Sequence, residues 1–177
     1  LTEMTKNKVK DEQAAEEVNK IYESVGDISS KMKEVIWSLN SENDTLDNLV
    51  SYIQKQTRLW LEHYPCQLTV ELPEIIPLVE LNGATRRNIL LLVKEAIHNI
   101  IKHSGADKVS IKMSCDNGQF AITVSDNGKG IINQQSDGSG NGIKNMKQRI
   151  QKLNGNFFIK NEEGLTLTFE IPFQQTT

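Results

Sequence analysis

From Val18 to Leu39, apolar residues recur at alternating steps of three and four: Val18, Ile21, Val25, Ile28, Met32, Val35 and Leu39. That heptad seam is the period of left-handed helix packing and predicts one long helix. Ala14, Tyr22, Ile36 and Trp37 broaden the stripe, and Asn40 ends it. A helix lying on its own domain would show a wider stripe, so bundle packing and a homodimer are the preferred reading. Leu1–Lys10, with Leu1, Met4 and Val9 as its apolar positions, reads as the tail of an earlier helix, and Lys10-Asp11-Glu12 as the turn. Asp44 or Thr45 then caps a second helix carrying Leu46, Leu49, Val50, Ile53, Trp60 and Leu61. It stops at Tyr64-Pro65, because the residue before proline resists the helical region.

Beyond Pro65 the period changes. Leu68, Val70 and Leu72 alternate, predicting a first strand over Cys66–Leu72, and Pro73 and Pro77 mark the connection that follows. Asn82-Gly83 begins a helix whose apolar face is Ile89, Leu92, Val93, Ala96, Ile97, Ile100 and Ile101, closed by Gly105 in the C′ position. Lys108–Ser114 and Gln119–Ser125 form a hairpin around Asp116-Asn117-Gly118. Ile131–Asn141 is polar and lacks periodicity, and an amphipathic helix follows over Gly142–Leu153, ending at Asn154-Gly155. Strands Asn156–Lys160 and Leu165–Ile171 hinge on Glu163-Gly164. Five strands and three helices predict an α+β fold, a two-layer α/β sandwich preceded by a long-helix segment. The expected division is 1–64 for the helical region and 65–177 for the sandwich.

Composition narrows the partners. The net charge of −3, with no basic stripe, argues against nucleic acid. Cys66 and Cys115 lack metal-like spacing and give no disulfide framework, so reduced cytosolic thiols are expected. No apolar run approaches membrane-spanning length, and no signal peptide is visible, so a cytoplasmic location is expected. The chain opens at Leu1 in mid-helix character, as a piece of something longer would; membrane segments would then lie upstream.

Three short pieces carry candidate chemistry. In Lys94–Ala106, Glu95, Asn99 and Lys102 or His103 form a polar row at helical spacing. An Asn oxygen is a hard ligand suited to Mg²⁺ that shares phosphate oxygens. In Ser125–Ile131, Asp126 falls just past a strand end, where an ionised carboxylate accepts and so suits the exocyclic amine of adenine. Gly128 and Gly130 let backbone come close to a flat ring. The third piece, Gly138–Met146, runs from glycine-rich sequence into a helix start, where free N–H groups attract phosphate.

In this order the pieces resemble the N, G1 and G2 boxes of the sensor histidine kinase ATP-binding domain, in the wider family that includes gyrase, Hsp90 and MutL. The resemblance covers roughly Cys66–Phe173 and implies the Bergerat-type fold, with a mixed five-stranded sheet. The heptad helix with V-I-W-S-L-N-S-E-N-D-T-L-D-N-L (Val35–Leu49) is similar to the dimerisation region of nitrate-sensing and membrane-thickness-sensing kinases. The resemblance implies ATP and Mg²⁺ as cofactors, with Asp126 on the adenine amine, Gly128 and Gly130 shaping the pocket, and Asn99 on Mg²⁺. It places Lys102 and His103 near phosphate oxygens, lets Gly140 and Gly142 close a lid spanning Ile131–Asn141, and makes Glu95 the catalytic carboxylate. Many relatives have Thr directly after the last glycine; here Leu165 follows Gly164, and Thr166, one place later, is the adenine-side candidate.

The implied activity is transfer of the γ-phosphoryl of ATP to a histidine, for relay to an aspartate of a response regulator. In that subfamily the acceptor sits in an H-D or H-E pair on the preceding helix. His63, His98 and His103 are the only histidines, and none is in such a pair, so this chain is expected to bind nucleotide without autophosphorylating. Two alternatives remain: an anti-sigma-factor-like serine kinase, and a non-catalytic nucleotide-sensing module of the same fold.

Overall fold

The computed structural model describes residues 12–130 and 140–173, which divide into two units between Asn40 and Ser41. The expected helix tail at 1–10 and the loop at 131–139 lie outside the described residues. Among the described residues, the first unit is one helix, α1 (Glu12–Leu39). Its seam does not cover itself: Ile21, Val25, Ile28 and Met32 are each more than half exposed, and Leu39 is 76% exposed.

The second unit opens with a 3₁₀ turn (Ser41–Asn43) and α2 (Leu46–Trp60). Of the two expected caps, Thr45 is the one used; its hydroxyl accepts from Asn48 N–H at 3.2 Å. α2 buries Leu46, Leu49, Val50 and Ile53 completely, and it belongs by packing to the sheet-bearing unit. That unit therefore begins at Ser41, ahead of the 64/65 division expected from the change of period. An apolar stripe shows that a helix is buried, not what buries it.

The sheet holds β1 (Gln67–Glu71), β2 (Lys108–Asp116), β3 (Gln119–Asp126), β4 (Asn156–Glu162) and β5 (Gly164–Pro172), in the order β1-β2-β3-β5-β4. β1 and β2 are parallel and every other pair is antiparallel. A parallel pair needs a crossover, here α3 (Gly83–Asn99), capped by Asn82 accepting from Thr85 N–H at 2.9 Å. Asn117 and Gly118 both have positive φ, as a two-residue hairpin of the type I′ class requires. α4 (Gly140–Lys152) leads into β4.

One sheet face is apolar and covered: Val109, Ile111, Phe120, Ile122, Val124, Leu167 and Phe169 are all at most 2% exposed. The other is polar and open, with hydroxyl pairs at its centre, Thr123 meeting Thr168 at 3.1 Å and Ser125 meeting Thr166 at 2.9 Å, and the Lys112–Glu71 ion pair toward its β1 edge. This is the expected two-layer sandwich with a mixed five-stranded sheet, and the three helices α2, α3 and α4 belong to its unit.

Candidate functional site

α3 brings Glu95 and Asn99 to its C-terminal end, one turn apart and both half-buried. The helix does not stop there in α geometry. Ile100–Ser104 form a π-turn, closed by Gly105 in the left-handed region at φ 63°. A π-turn winds more slowly than an α-helix, so residues beyond Asn99 fall behind the expected i+4 row. Lys102 and His103 stand exposed on this turn. His98, exposed beside them, has its pKa lowered by partial burial and then by the Lys102 charge, against a smaller opposing pull from Glu95.

Gly142, in the first turn of α4, lies against the end of α3. A β-carbon there would stand 2.5 Å from Glu95 Oε1, so any larger residue requires the end of the Glu95 side chain to move, and 3.6 Å from Asn99 Nδ2, an ordinary contact. Gly140 begins α4 two residues earlier.

Asp126 ends β3 on the covered face and is 7% exposed. Its carboxylate accepts from Gly128 N–H at 2.8 Å and also from the backbone N–H of Leu165. Burial raises its pKa above the ordinary 3.8, and the two backbone bonds offset part of that rise. Gly128 is pressed against the Ser104 carbonyl, leaving no room for a side chain, and Lys129 N–H donates to that same carbonyl at 3.0 Å. Asn127 completes the joint: its Oδ1 accepts from Lys108 N–H at 2.9 Å, and its Nδ2 donates to Asp107 Oδ1 at 2.7 Å. Gly130 faces the side chain of Asn161 on β4.

The structure thus gathers Glu95, Asn99 and Gly142 at one junction and Asp126 and Gly128 at another, both bordering the end of α3. Thr166 is a correction. It pairs with Ser125, and its hydroxyl bonds that residue's hydroxyl on the open face, whereas Asp126 points to the covered face. Strand side chains alternate, so the residue beside Asp126 on its own face is Leu165, 9% exposed. The roles of three residues were not legible in the sequence. Ser104 joins the π-turn to the turn after β3, Asn161 approaches Gly130 from a distant hairpin, and Leu165 serves Asp126 through its backbone.

The donor set fits a phosphate-shared metal rather than a protein cage. Among the described residues no three His, Cys, Asp or Glu side chains converge. A lone Asn oxygen beside a carboxylate is the partial ligand set Mg²⁺ accepts when phosphates supply the rest. No helix among the described residues is long and apolar enough to cross a membrane.

Residues 84–175 match the family described as histidine kinase-, DNA gyrase B- and HSP90-like ATPase. The sensor histidine kinase MctS of Rhizobium johnstonii is 40% identical over 85 residues, spanning 46% of this chain and 18% of that protein. The sensor histidine kinase DesK of Bacillus subtilis is 27% identical over 164 residues, 91% of this chain and 41% of that protein. The chain therefore spans less than half the length of these relatives. The histidine kinase domain of a blue-light activated histidine kinase from Erythrobacter litoralis superposes with a TM-score of 0.62 at 18% identity, covering 97% of this chain and 90% of that one, a likeness of fold. With residues 84–175, just over half of its length, matched, the chain belongs to the histidine kinase-, DNA gyrase B- and HSP90-like ATPase family.

Proposed function

We propose that this chain is the ATP-binding catalytic portion of a two-component sensor histidine kinase. The observation that carries the reading is the buried Asp126 carboxylate. Two backbone N–H groups hold it in place, and as an acceptor it suits the adenine amine. The Glu95–Asn99–Gly142 junction supplies the phosphate end. When bound, Mg²⁺ would neutralise phosphate charge, with Asn99 as its protein ligand. Gly128, pressed against Ser104, and Gly130, facing Asn161, would shape the wall of the base pocket, while Lys102 and His103 offer cations and donors to phosphate oxygens. Gly140 and Gly142 begin the helix whose free N–H groups would face the phosphate tail. Glu95 is proposed to orient the reacting groups; in-line phosphoryl transfer depends chiefly on such positioning and on charge stabilisation.

None of His63, His98 and His103 stands in an H-D or H-E pair, so the acceptor histidine is assigned to a part of the protein outside these 177 residues. The onward acceptor would be an aspartate of a response regulator, in the cytoplasm. The exposed seam of α1 is proposed as a homodimer contact within a helical region, residues 1–64, that precedes the nucleotide-binding domain at 65–177. By packing, α2 is shared with that domain.

The experiment is labelling of the full-length protein with γ-labelled ATP, followed by acid and base treatment. A phosphohistidine is lost in acid and kept in base. Label that survives acid would favour the serine-kinase reading, and no label under conditions of ATP binding would favour a non-catalytic module.

A further inference from the structure

α2 contains none of the residues assigned to the site, yet the segments flanking it are fastened to the start of α3 and to the π-turn that continues it. Ahead of α2, Asp44–Leu46 runs antiparallel to Val79–Leu81. Leu81 N–H donates to Asp44 O at 2.7 Å, Leu46 N–H donates to Val79 O at 3.0 Å, and Thr45 and Glu80 form a bridge. The Asp44 carboxylate also meets the Arg86 guanidinium of α3 at 2.6 Å; the Arg86 side chain is only 1% exposed. Beyond the last turn of α2, the Tyr64 hydroxyl lies 3.3 Å from Ser104 Oγ. Ser104 is the residue whose carbonyl holds Lys129 beside Gly128. A buried guanidinium resists separation from its carboxylate, and segments joined in this way open cooperatively.

We propose that Asp44 and Tyr64 are positioning residues for the nucleotide site. They brace α3 through α2, so that order at the Ser104–Lys129 joint and order at the Ser41–Leu46 connection are thermodynamically linked. The inference rests on the nucleotide reading above. Linkage is reciprocal: a ligand that steadies one joint steadies the other, and a displacement of the connection changes affinity at the site.

The test follows amide hydrogen exchange by NMR at Lys129 for the site and at Leu46 and Leu81 for the connection, with and without saturating ADP and Mg²⁺. ADP should slow exchange at all three. Tyr64→Phe, which removes one oxygen, should keep the slowing at Lys129 and lose it at Leu46 and Leu81. It should also weaken ADP by roughly threefold to tenfold, the scale of one modest hydrogen bond. Asp44→Asn should act in the same direction from the other end. Slowing at Lys129 with none at Leu46 and Leu81 in the wild type overturns the linkage alone, and slowing at all three that survives both substitutions overturns the assigned residues. No slowing anywhere overturns the nucleotide reading along with it.

Discussion

Gly142 lies against the carboxylate of Glu95: a β-carbon at 142 would sit 2.5 Å from Oε1, nearer than side chains tolerate. Two helices remote in sequence meet there, and a methyl group at 142 would require the Glu95 carboxylate to move.

Gly142→Ala tests that contact. Alanine at an α4 position favours the helix by about 1 kcal/mol over glycine, so helix stability should not suffer from propensity. Displacement of Glu95 or of the first turn of α4 should instead weaken ADP by about tenfold, or ~1.4 kcal/mol. Calorimetric titration beside a melting curve separates the two effects.

Thr166→Val tests the correction to the adenine side. Loss of the hydroxyl pair with Ser125 should cost about 0.5–1.5 kcal/mol of folding stability. ADP affinity should stay unchanged, since Thr166 lies on the face opposite Asp126. A selective loss of affinity would return Thr166 to the site.

Asp126 should titrate above 3.8, because burial disfavours its charged form more than its two backbone bonds favour it. A raised folded-state pKa gives a stabilising contribution that is full below the unfolded value and lost as pH rises through the folded one. Wild type should therefore lose stability relative to Asp126→Asn across that interval. Carboxyl-carbon NMR of Asp126 reads the midpoint directly, and ADP, which favours the carboxylate as an acceptor, should move it down.

The α1 seam predicts self-association. Ile28 and Met32 are each 58% exposed at seam positions, and burying them against a second copy removes that apolar surface from water. Sedimentation should show a mass that rises with concentration, and Ile28→Lys with Met32→Lys should hold the chain monomeric.

Much of this was legible because the signals are local. Asn82 and Thr45 cap helices, Asn117-Gly118 turns a hairpin, Gly105 ends the α3 segment, and the Phe120–Ile122–Val124 alternation puts Asp126 at a strand end. Thr166 was misplaced because a strand's period is two, so choosing a neighbour one position away changes the face. The π-turn at Ile100–Ser104 left no mark, since its apolar spacing also satisfies an α-helix. Asn161 against Gly130 and Tyr64 against Ser104 are long-range meetings of residues ordinary for loops and strands. The α2 stripe announced burial without naming its partner.

The most direct measurement is calorimetric titration of this chain with ADP, with and without Mg²⁺, beside Asp126→Asn. The account predicts binding that needs Mg²⁺ for full strength. It also predicts a loss in the variant of about 1.5–3 kcal/mol, the scale of a hydrogen bond to a charged group. Absence of binding by folded wild type, or undiminished binding by Asp126→Asn, would contradict it.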